Sequence, residues 1–164
     1  MGEAILQSSR QAPVLEAGEK EFRAALAENP GDANAEYWLG IIYSLRGDYQ
    51  TAIEDYSRAL QLSPNDAEAH QALGAALIKT GKPEEALEHL LAATRLDPLY
   101  PAAHYQLGTV YRQLGRESDA RREFAAFGKL EKARKATSQV YFRMRGGFSD
   151  ADAGEAGTPN HQPQ

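Results

Sequence analysis

Cysteine is absent from the 164 residues, which excludes disulfides and thiolate metal sites. That absence does not by itself choose a compartment. Long apolar runs are missing as well: nothing approaches the roughly 20 residues that a membrane-spanning helix needs. The opening MGEAILQSSRQAP has no basic leading region and only a very short apolar segment, so it does not read as a secretory signal. This favours a soluble, cytoplasmic chain. A strong charge of one sign is lacking too. The formal net charge of -5 is too mild to call for a nucleic-acid partner. No Gly-rich phosphate loop, no HExxH and no Ser–His–Asp order occurs. The sequence therefore leads us to expect no enzyme, no cofactor and no small-molecule substrate.

What the chain has is a period. The stretch Asn34–Pro64, NAEYWLGIIYSLRGDYQTAIEDYSRALQLSP, recurs 34 residues later and again 34 after that. Leu39-Gly40 returns as Leu73-Gly74 and Leu107-Gly108. Gly47 returns as Gly81 and Gly115, and Ala52 as Ala86 and Ala120. Tyr56 becomes Leu90 and then Phe124, and Pro64 becomes Pro98. A fixed period of this length points to a stacked helical array, an all-α superhelix.

Read in order, 1–32 is a truncated N-terminal repeat. Its second helix spans 14–28, starting after Pro13, with Phe22, Ala25 and Leu26 on one face. Only Met1–Arg10 is left to supply its first helix. Three full repeats follow at 33–66, 67–100 and 101–134. Each has a helix A, a turn on Gly47, Gly81 or Gly115, and a helix B. The last helix meets Lys132 where Pro64 and Pro98 stood, so it should extend over 129–145 and cover the final apolar edge. From Gly146 the residues GGFSDADAGEAGTPNHQPQ are too poor in apolar side chains to offset ordering entropy, and 146–164 reads as a disordered tail. Charge is uneven. Residues 1–111 hold 8 basic and 16 acidic side chains, while 112–145 hold 10 and 4, which makes the terminal helix locally basic.

With Leu39, Gly40, Tyr43, Gly47, Ala52, Tyr56, Ala59 and Pro64 recurring in register, the chain resembles the tetratricopeptide repeat (TPR) family over about residues 14–131. Each slot has a physical use. Gly40, Gly74 and Gly108 let helices approach closely. Tyr56, Leu90 and Phe124 fill the space between them, and Pro64 and Pro98 stop helix B. Gly18, Phe127 and Lys132 depart from the pattern, all near the ends. The resemblance implies a right-handed superhelix whose A helices line a concave face that holds a segment of a partner protein.

On that placement the candidate groove comprises Asn34, Tyr37, Trp38, Ile41, Ser44 and Leu45 from the first repeat, Gln71, Ala75 and Lys79 from the second, and Tyr105, Gln106, Thr109 and Arg112 from the third. Aromatics and Arg are frequent binding anchors. For Trp38 and Ile41 a second reading stays open, namely that they pack against the truncated N-terminal repeat. One TPR subclass clamps acidic chaperone tails. Its slots fall on Tyr37, Ile41, Ala72, Ala102 and Gln106, which lack the needed cations. His70 and His104 are equivalent residues of adjacent repeats. A metal between them is conceivable, but no third ligand is evident, and we expect both simply to occupy an amphipathic slot. His89 is expected on an exposed face, and Glu54, Asp55, Glu84, Glu85 and Glu88 at helix starts or outer faces.

The leading reading is a noncatalytic scaffold or adaptor that binds a peptide segment. Alternatives are homo-oligomer formation through the chain ends, or a targeting arm of a larger assembly. Nucleic-acid binding through the basic helix ranks last.

Overall fold

The computed structural model describes residues 2–146, with side chains from 12 to 145. The described residues form seven helices and no strand: α1 Gly2–Glu28, α2 Ala33–Arg46, α3 Tyr49–Leu62, α4 Ala67–Lys79, α5 Pro83–Leu96, α6 Pro101–Gln113 and α7 Glu117–Gly146. The chain divides into two units, Met1–Phe127 and Gly128–Gln164. The segment expected to be a disordered tail, 146–164, lies outside the described residues but for the backbone of Gly146.

Helix starts are set in two ways. Asp32, Asp48 and Asp66 cap α2, α3 and α4. Asp66 accepts from the amides of both Glu68 (2.9 Å) and Ala69 (3.0 Å). Helices α5 and α6 have no side-chain cap and begin instead on Pro83 and Pro101, whose preset φ suits a first turn. The A-to-B turns share one geometry. Gly47, Gly81 and Gly115 take φ of 81°, 77° and 73°, where a side chain would be strained. The amide after each glycine then bonds back across the turn, as from Asp48 to the Tyr43 carbonyl at 2.9 Å.

The helix expected over 14–28 is instead the later part of α1, which already runs from Gly2 and contains Pro13. Proline inside a helix loses only its own N–H bond and crowds the carbonyl four residues earlier, which disfavours the helix without forcing an end.

The first unit packs each hairpin against the next. The backbone of α4 comes close to those of α2 and α6, whereas the backbones of α3 and α5 stay farther apart, so the stack is tighter on the side of the A helices. Its core is built from Ala52, Tyr56, Leu73, Leu77, Leu90, Leu107, Val110 and Tyr111. The repeat glycines allow this. A Cβ on Gly40 would lie 2.5 Å from Tyr56 Cε1, one on Gly74 2.7 Å from Leu90 Cγ, and one on Gly108 2.8 Å from Phe124 Cε1. In the second unit, the helical stretch that follows Gly128 carries a Glu131–Arg134 ion pair at 2.9 Å and exposes Val140, Tyr141, Phe142 and Met144.

Candidate functional site

The A helices bring together part of the expected groove. Ile41 and Ser44 of α2 and Gln71, Ala75 and Lys79 of α4 line one pocket of about 210 Å³. Tyr49, Tyr56, Ala72 and Ala76 complete it. Tyr49 and Tyr56 come from helix B, so reasoning confined to helix A misses them. Tyr56 fills the space beneath Gly40, and its hydroxyl emerges on the pocket side to meet Ser44 Oγ at 3.1 Å. Gln71 Oε1 is already an acceptor for the Tyr100 hydroxyl at 3.2 Å. Lys79 is exposed at the rim, and no ion pair holds its ammonium among the described residues.

Tyr37 and Trp38 lie off this pocket. Tyr37 is half-buried, edge-on to Trp38 at 5.6 Å. Burial, followed by the charge of Glu68, pushes its hydroxyl up to about 12, so it remains an O–H donor at neutral pH. Trp38 divides between the two readings left open above. One side of its ring runs near-parallel to Phe22 of α1, centroids 6.3 Å apart, yet 48% of the residue is exposed. Ile41 lines the pocket. Asn34 is exposed in the first turn of α2, and Leu45 is exposed at its far end; neither lines the pocket.

The third repeat contributes a separate patch. Tyr105 is half-exposed and tilts against Phe124 (5.8 Å) and Phe127 (5.4 Å). The Arg112 guanidinium lies 5.7 Å from the centre of the Phe124 ring. Gln106 is half-buried, and the Thr109 hydroxyl donates to the Tyr105 carbonyl at 3.0 Å, leaving only lone pairs for a ligand.

The histidines and one carboxylate correct the sequence reading. His70 and His104 do not meet each other. His70 Nδ1 lies 3.1 Å from Nδ1 of His89, which is half-buried rather than on an exposed face. His104 Nδ1 lies 2.8 Å from Glu123 Oε2. Asp55 is buried between α2 and α3, not on an outer face. It accepts from Arg58 at 2.7 Å, while Glu36 stands across from the same guanidinium at 3.5 Å. Burial pushes Asp55 up to about 6 against the pull of Arg58, and its Oδ2 is buried without a partner. These are one structural slot used three times. Positions 36, 70 and 104 on the A helices face 55, 89 and 123 on the B helices, and each pair is polar and titratable. The period of the sequence applied to both members would have found it. Reading each residue type alone does not.

At the N-terminal joint, Glu19 of α1 holds Arg46 and accepts from Tyr43 Oη at 2.8 Å. These hydrogen bonds, that from Arg46 foremost, lower the Glu19 carboxyl below its ordinary range. Among the described residues no group of three or more His, Cys, Asp or Glu gathers around a common point, and no helix is long and apolar enough to cross a membrane.

Comparison with known proteins matches the same region. The family described as TPR repeat matches residues 42–81 and 76–115, and that described as tetratricopeptide repeat matches 21–54. Comparison with curated proteins gives no match. Among solved structures, a crystal structure of MamA is similar at 24% identity and a TM-score of 0.70, covering 76% of this chain and 73% of that one. MamA 41-end from Desulfovibrio magneticus RS-1 is similar at 22% identity and 0.67, covering 76% and 70%. The structure titled MamA MSR-1 C2 is similar at 21% identity and 0.64, covering 76% and 71%. At these identities the likeness speaks for the fold. The register of the repeats, the glycine turns and both family matches agree, and the chain belongs to the tetratricopeptide repeat family, whose members are in general protein-interaction scaffolds and typically noncatalytic.

Proposed function

We propose that the chain is a noncatalytic adaptor that holds an extended peptide segment of a partner protein against its A helices. The observation that supports this is the pocket between α2 and α4. It has an apolar floor of Ile41, Ala72, Ala75 and Ala76, a rim of Ser44, Gln71 and Tyr49, and one free ammonium at Lys79. An aliphatic side chain fits such a floor, and Lys79 favours an acidic neighbour on the peptide. Trp38 on one side and Tyr105 with Arg112 on the other offer half-exposed anchors of the kind that dominate interface energies.

Selection from a displayed random-peptide library tests the reading. The full chain should enrich peptides with an aliphatic residue beside Asp or Glu. Ala75→Arg, which fills the pocket, should weaken their binding at least tenfold, and Lys79→Glu should reverse the preference for acid. Failure to enrich any peptide, or enriched peptides indifferent to both substitutions, overturns it.

A further inference from the structure

The rung formed by His70 and His89 differs from its two neighbours in having no carboxylate. His70 sits in the first turn of α4 and His89 in the middle of α5, and neither lines the peptide pocket. His70 Nε2 lies 3.0 Å from the carbonyl oxygen of Pro64. A carbonyl only accepts, so Nε2 carries the ring proton and Nδ1 of the neutral ring is a bare lone pair. That lone pair faces His89 Nδ1 at 3.1 Å, so His89 is the donor and is held in the Nδ1–H form. Backbone carbonyls commonly fix ligand histidines in this way, by taking the proton of the nitrogen that does not bind metal.

The spacing suits a shared ion. Two imidazole nitrogens about 2.0–2.1 Å from one tetrahedral metal lie about 3.3 Å apart. The rings, with centroids 5.3 Å apart and planes at 32°, now aim at each other along the hydrogen bond. Chelation requires a modest swing of both rings and transfer of the His89 proton from Nδ1 to Nε2. No proton leaves the pair, and both rings stay neutral.

We propose that His70 and His89 form a two-histidine site for a borderline divalent cation of the zinc, nickel and copper class, clamping α4 to α5. Imidazole donors select this class over magnesium or calcium, which prefer oxygen. With no third protein ligand among the described residues, the remaining positions belong to water or to a donor from a partner. Neither of the other rungs pairs two imidazoles. At Glu36 and Asp55 the facing groups are carboxylates that share the Arg58 guanidinium. At His104 both ring nitrogens face acceptors, Glu123 at 2.8 Å and the Pro98 carbonyl at 3.0 Å.

Titration calorimetry of the full chain with zinc chloride near pH 7.5 tests this. One equivalent should bind, His70→Gln and His89→Gln should each weaken it at least tenfold, and His104→Gln should not change it. Long-range proton–nitrogen correlation of the histidine rings gives a second readout that needs no variant. Zinc should move His89 from the Nδ1–H to the Nε2–H form and leave His70 as Nε2–H. Absence of zinc binding at millimolar concentration, equal binding by His89→Gln, or an unchanged His89 tautomer in the zinc-loaded protein would each overturn the site.

Discussion

Two groups on the same structural slot, Asp55 buried and His89 half-buried, should respond to pH in opposite directions. Asp55 is pushed up to about 6 from 3.8, so the folded chain takes up its proton before the unfolded chain does. Its charge costs stability at neutral pH, and that cost is relieved as pH falls through about 6 toward 4. Against Asp55→Asn, the wild type should therefore gain about 1–3 kcal/mol between pH 7 and 4.5, a size set by the shift itself. His89 shifts the other way, lowered from 6.5 first by burial and then by the charge of His70. Below that value the unfolded chain binds a proton that the fold resists, so the wild type should lose stability as pH drops through 6.5 relative to His89→Gln. Urea titrations of the three proteins across this range separate the limbs; parallel curves would remove both assignments. None of this is legible from residue type. Asp55 and His89 look like surface residues because their neighbours in sequence are charged, and burial comes from the facing helix.

The helices themselves were legible. α2, α4 and α6 run into the turns on Gly47, Gly81 and Gly115, and α3 and α5 stop just before Pro64 and Pro98. Pro13 misleads: a proline that suits a first helical turn stands inside α1. The two kinds of start predict unequal sensitivity. Asp66→Ala removes bonds to two amides and should cost about 1 kcal/mol. Lys82→Ala, at a start that has no side-chain cap bond and relies on Pro83, should stay within about 0.5 kcal/mol of wild type. Equal losses in thermal melts would show that the α4 cap is not what holds that terminus. The wall of the pocket between α2 and α4 is only half legible at this scale. Helix spacing located Ile41, Ser44, Gln71, Ala75 and Lys79 on one side, but the helix-B tyrosines that close the pocket depend on the depth at which two helices pack.

At the scale of the whole first unit, stability in a stacked array is carried by joints between neighbours, and an end repeat has fewer of them. The joint of α1 with α2 is small and partly polar: Phe22 beside Trp38, and Glu19 with Tyr43 and Arg46. The chain holds a single tryptophan, and it stands at this joint. Tryptophan fluorescence should therefore lose its folded signal at lower urea than the helical circular dichroism does, and Phe22→Ala should widen the gap. Coincident transitions in both proteins would mean that α1 and the repeats unfold as one. Meanwhile the three A-to-B turns, on Gly47, Gly81 and Gly115, are copies of one another to within a few degrees of φ. The molecule is thus built in increments, like a rule marked in equal divisions. A second copy of residues 66–99 inserted after Leu99 would bring its own Asp66 cap, set its own His70 against the carbonyl of Pro98, and present a further His70–His89 pair. Ion capacity would then rise in whole numbers with length, one per added division.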